Sequence, residues 1–184
     1  DEHSRGRFER DGEGLHCHRD HRGAVINPKI HLNLFEREGD LKAALQQAIA
    51  RHRDRLGMVS AQAPLISNLD AWLNVALIRQ YHENLPRDQA RREVLEYLDR
   101  LGLGAVADRR ISSLEDRERF CIMLLRAAMV NRAVLVIDRP FQIMPDLQDA
   151  RYVGRLLKWI DDLYEECHIF DYVWMKDHYG ALHG

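Results

Sequence analysis

Long apolar runs, paired cysteines and a large net charge of either sign are what this 184-residue chain lacks. No stretch approaches the roughly 20 apolar residues that cross a bilayer. The opening residues, DEHSRGRFERDGEG, are polar where a secretory signal is apolar, so the expected location is cytoplasmic. The three cysteines, Cys17, Cys121 and Cys167, form no CxxC pair, which argues against a disulfide framework and fits a reducing compartment. With 27 Lys and Arg against 29 Asp and Glu, the formal net charge is -2, so no global field draws the chain to nucleic acid or anionic lipid. The first residue is Asp and not Met, as in a piece of a longer protein.

What is present is 46% hydrophobic residues, enough to bury the core of one domain with a smaller subdomain. RGRFERDGEGL alternates around an Asp11-Gly12 turn signal and reads as a hairpin. A histidine-rich stretch then passes into the β-like residues up to HLNLF. From Asp40 the period changes: Leu41, Ala44, Leu45, Ala48 and Ile49 share one helical face, opposite Lys42, Gln46, Gln47 and Arg53. LGMVS reads as a buried strand. NLDAWLNVALIRQYH is an amphipathic helix. A second helix starts at Pro86 and stops at Gly102, and ISSLEDRERFCIMLLRAAMV is a third, opened by the capping-box spacing of Ser112 and Glu115. The strand AVLVID follows, then a helix with Leu147, Ala150, Val153, Leu157, Ile160 and Tyr164 on one face, then the strand HIFDYVWM. This order predicts an α/β fold around a mostly parallel sheet.

In order and in residues the chain resembles the nucleotide-binding (ATP-binding) subunit of ABC transporters. LGMVSAQAPLISNLDAWLNVAL is similar to that family's Q-loop region, with Leu69, Asn74, Val75, Ala76 and Leu77 on the pattern. ISSLEDRERFCIMLLRAAMV stands where the family has its LSGGQ signature and the helix after it, and VLVIDRPF where it has the Walker B strand. SRGRFERDGEGL resembles the hairpin that follows the family's phosphate-loop helix. The resemblance covers most of the chain except an insert between about residues 16 and 40. It implies a P-loop NTPase-like core with a helical subdomain: residues 1–64 as hairpin, insert and Q-loop strand, 65–130 as helical subdomain, and 131–184 as Walker B strand and C-terminal core. No GxxxxGK[ST] occurs, and in this alignment the phosphate loop lies before Asp1.

The resemblance also implies site residues, ATP and magnesium. Asp138 would hold magnesium through water, next to a glutamate that polarises the attacking water, but that position is Arg139. A guanidinium stays protonated and accepts no hydrogen, so Arg139 cannot act as the base. Read without the family, the two are an Asp-Arg pair at a strand end. Ser112 and Ser113 hold the signature position, but Leu114 and Glu115 put bulk and negative charge where glycines would admit a phosphate, and a capping box explains the same residues. Gln62 fits the Q-loop glutamine only with a one-residue shift from Ala61. His178 is the candidate switch histidine, and none of the family's D-loop residues is kept at Gln142-Ile143-Met144-Pro145. The implied protein is a degenerate subunit, a pseudo-ATPase, that docks on a membrane-embedded transporter subunit, as a homodimer or paired with an active copy. The alternative is an active subunit whose phosphate loop lies outside this chain.

A third class comes from HCHRDH, where His16, Cys17, His18 and His21 are candidate ligands for zinc in a metal-binding regulatory protein on the same fold; the other reading is a solvated loop. Cys121, on an apolar helix face, reads as core. Trp72, Trp159 and Trp174 read as core and subdomain contacts.

Overall fold

The computed structural model describes residues 29–180 and 182. The hairpin expected around Asp11-Gly12 and the candidate ligands His16, Cys17, His18 and His21 lie outside the described residues. Four parallel strands form one sheet in the order β1-β4-β3-β2, with β1 Ile30–Phe35, β2 Leu56–Val59, β3 Ala133–Asp138 and β4 Tyr164–Tyr172. All six residues of β3 are buried, which is why AVLVID reads as a continuous apolar run: a central parallel strand is covered on both faces. Among the described residues, no helix is long and apolar enough to cross a membrane.

Helix α1, Glu38–Arg51, follows β1 and covers one end of the sheet, with Leu41 and Leu45 packed on Phe35, Val136 and Phe170. Ile49, expected on the same apolar face, is exposed. Three helices, α2 Ala71–Glu83, α3 Arg87–Arg100 and α4 Asp116–Ala128, stand between β2 and β3 in sequence. Pro86 is the N-cap of α3 and not its first-turn residue. The helix ends where Gly102 takes φ 71° and its N–H reaches the Asp99 carbonyl at 2.9 Å while Leu103 N–H reaches that of Leu98 at 2.7 Å. This double return satisfies carbonyls that the last turn leaves open.

Helix α4 is buried nearly all round, from Phe120 through Leu125, because it lies between α2 and strands β2 and β3. Gly57 of β2 meets it so closely that a Cβ there would stand 2.4 Å from the Ala127 carbonyl oxygen. The expected cap at Ser112 is displaced by one turn. Residues Ile111–Ser113 form a 3-10 turn, the N-cap is Glu115, and its N–H donates to Glu118 Oε2 at 2.9 Å.

Two short helices, α5 Pro140–Ile143 and α6 Arg151–Trp159, join β3 to β4. Tyr164, expected to extend the helix, is the first residue of β4, whereas Val173–Tyr179, expected in part as strand, is a 3-10 helix. The residues read as β-like up to HLNLF form β1, within the stretch aligned as an insert, and β1 pairs with β4 from Ile30 opposite Cys167 to Phe35 opposite Tyr172. Cys121 is core as expected. Of the three tryptophans only Trp72 is buried; Trp159 and Trp174 are exposed.

Candidate functional site

Parallel α/β sheets place ligand sites beyond the carboxyl ends of their strands. Here that edge carries two buried carboxylates, Asp138 at the end of β3 and Asp171 near the end of β4. Asp138 Oδ1 accepts from Arg139 Nε at 2.7 Å, and Oδ2 accepts from Arg139 Nη2 at 3.0 Å and from Ser60 Oγ at 2.9 Å. The backbone makes this possible. Arg139 has φ 47° and ψ 68°, a left-handed conformation that costs an L-residue about 1–2 kcal/mol and turns its side chain back over the preceding residue. Its N–H is fixed on the Phe170 carbonyl at 2.8 Å, and Pro140 then opens α5.

The hydrogen bond to Asp138 holds the Arg139 guanidinium above its already high pKa, against partial desolvation. Asp171 is satisfied differently: Tyr179 Oη donates to Oδ2 at 2.6 Å and the Tyr172 N–H to Oδ1 at 2.8 Å. Burial raises the Asp171 carboxyl above the usual carboxylate range, with these two hydrogen bonds opposing. A shallow cleft beside the pair is lined by Arg139, Phe141, Gln142, Asp171, Tyr172 and Trp174, the last two stacked with ring centroids 4.2 Å apart.

The strand-to-helix connection next to this edge is short. Only Glu36 and Arg37 join β1 to α1, and the first turn of α1 carries Glu38 and Asp40. Arg37 is tied to Asp40 at 2.8 Å, Glu38 to Lys42 at 2.6 Å, and the Glu38 carboxylate feels the charge of Arg139. A helix amino terminus attracts anions through its free N–H groups. This one already holds its own carboxylates.

Of the residues singled out in the sequence, Asp138 and Arg139 are brought together. Gln62 is exposed and connects to them only through its N–H, which donates to Ser60 Oγ at 3.2 Å. Ser112 and Ser113 are exposed on the 3-10 turn before α4, where Ser113 Oγ donates to the Arg110 carbonyl at 2.8 Å. His178 donates from Nδ1 to the Gln148 carbonyl at 2.6 Å and rests against the Phe141 ring. Sequence reasoning missed Ser60, Asp171 and Tyr179. For Ser60 a signal existed: it is the polar residue directly after β2, and the register of Val59 on Ile137 carries it opposite Asp138.

No family model matches the chain. A sulfate/thiosulfate import ATP-binding protein of Methylococcus capsulatus is 30% identical over 131 residues, 70% of this chain and 36% of that protein. An arginine/ornithine transport ATP-binding protein of Pseudomonas aeruginosa is 28% identical over 147 residues, 79% of this chain and 56% of that protein. The chain thus spans between about a third and just over half the length of these curated relatives. Among solved structures, the ATP-binding cassette MJ0796 in a dimeric post-hydrolysis state bound to ADP and Pi overlays with a TM-score of 0.49 at 20% identity, covering 72% of this chain and 58% of that one. In sequence the chain is thus similar, over 70% to 79% of its length, to ATP-binding proteins of ABC transporters.

Proposed function

We propose that this chain acts as a degenerate ABC transporter ATP-binding subunit, with weak or no ATP hydrolysis, that works by docking on a membrane-embedded transporter partner. The carrying observation is the fork of Arg139 on Asp138. In a nucleotide-hydrolysing relative this strand-end carboxylate would face magnesium, and the next residue would polarise water. Here both carboxylate oxygens are engaged, and the next residue is a permanent cation that accepts no proton. The residues around β1 and α1 fit a nucleotide no better. A two-residue connection gives no glycine-rich cradle, and Glu38 and Asp40 set negative charge at the helix terminus where a phosphate would need N–H groups.

The docking half of the reading is supported by the helical subdomain. Leu77 and Tyr81 of α2 and Ile66 just before it are exposed, and Asn74 ties the 66–70 turn rigidly to that helix. The subunit pairs with a second copy or with an active partner subunit.

The test is phosphate release with magnesium and ATP by the protein and by Arg139→Glu. Neither should hydrolyse ATP appreciably, because restoring one acid supplies neither a phosphate cradle nor signature glycines. Robust turnover by Arg139→Glu would instead favour the second reading, an active subunit held back by a single side chain, to which the retained Asp138 points.

A further inference from the structure

At the end of the sheet opposite Asp138, the face that α1 covers carries a second group of side chains with ligand chemistry. His31 of β1 and His168 of β4 stand directly opposite each other in the parallel register, and Glu166, two residues earlier on β4, projects from the same face. One donor atom from each of His31, Glu166 and His168 lies within 4.8 Å of the others. His168 Nε2 is 3.1 Å from Glu166 Oε2. The His31 and His168 rings are 4.8 Å apart, and the His52 ring, at the carboxyl end of α1, lies 5.7 Å from that of His168. Arg55 and Arg132 pair with Glu165 at 2.5 and 2.6 Å, while Glu166 contacts His168.

We propose that His31, His168 and Glu166 bind a first-row divalent transition metal ion of the Zn(II) or Ni(II) kind. Two imidazoles and one carboxylate are a donor set that such ions favour over calcium or magnesium, with the fourth position left to water or His52. Tetrahedral bonds of about 2.0–2.1 Å put donors about 3.4 Å apart. The group therefore closes by small side-chain rotations, with the exposed Glu166 moving most easily. The strands fix both imidazoles in register, so the sheet supplies the preorganisation. The inference is independent of the proposed function, and its residues are distinct from the histidine-rich segment at 16–21.

The test is titration of chelator-treated protein with Co(II), followed by absorption, and with Zn(II), followed by calorimetry. Three variants are run beside it: His31→Gln with Glu166→Gln, Glu166→Gln alone, and His16→Ala with His18→Ala. One equivalent should bind with the ligand-field bands of a low-coordinate nitrogen and oxygen site. Affinity should fall tenfold or more in the first variant and measurably in the second, and remain unchanged in the third. Circular dichroism in chelator shows which variants fold; the exposed single change decides the matter if the double one does not. Undiminished binding by the Glu166 variants, loss confined to the His16 and His18 variant, or no stoichiometric binding by the parent would each overturn the proposal.

Discussion

Arg139 turns back on the residue that precedes it, with Nε 2.7 Å from Oδ1 of Asp138 and Nη2 3.0 Å from Oδ2. Neighbouring residues rarely pair in this way, and here the left-handed backbone at Arg139 makes it possible. Asp138 is buried, so removal of its cation leaves a charge with little solvent. Arg139→Met should therefore cost about 2–3 kcal/mol in urea unfolding. Asp138→Asn in the same chain should recover part of that loss, giving a coupling energy of about 1–2 kcal/mol in a double-mutant cycle. Additive losses would mean that the pair stores no mutual stabilisation.

Asn74 should be as sensitive as any residue of helices α2 to α4. Its Oδ1 accepts the Ile66 N–H at 2.7 Å, and its Nδ2 faces the carbonyls of Ile66, Leu69 and Asp70 at 3.1 to 3.4 Å. The side chain is fully buried. Asn74→Ala strands these backbone groups and should cost about 2–3 kcal/mol. Asn74→Asp should also destabilise, because a carboxylate presents no donor to the three carbonyls. Thermal unfolding by circular dichroism checks both.

Asp171 predicts a pH dependence of a definite sign. Its carboxyl is raised by burial, so the folded state holds that proton more tightly than the unfolded state does. The corresponding stability is fully present below the unfolded value of about 4 and is lost as pH rises through the folded one. The stability of the protein minus that of Asp171→Asn should accordingly decline from about pH 4 towards neutrality, measured as urea midpoints at several pH values. A difference that grows with pH would contradict the assignment.

What the sequence made legible is what local pattern and burial decide. AVLVID stood out because a central parallel strand shows no alternation. The Asn74-Val75-Ala76 run was visible within an apolar helix, and all three residues are buried. Less legible were features that depend on strand neighbours distant in sequence. Ser60 reaches Asp138 only through the register of β2 on β3, and His31 meets His168 only through that of β1 on β4. The strand IHLNLF was legible as β-like, but its interior residues are only half-buried at the sheet edge, too weak a pattern to give its place in the sheet. At α4 the S-x-x-E spacing was present, but the 3-10 turn at Ile111–Ser113 moved the helix start on to the Glu115 and Glu118 pair, which has the same spacing.

In the function proposed above, the ion pair of Arg139 and Asp138, together with the acidic start of α1, leaves no site for magnesium and ATP on these residues. Titration calorimetry of the protein with ATP and magnesium, run in parallel on Asp138→Asn, tests it most directly. No saturable heat is expected with either protein at nucleotide concentrations up to the millimolar range. Saturable binding by the parent that Asp138→Asn abolishes would contradict it, since it would place the nucleotide's metal on the carboxylate that Arg139 holds.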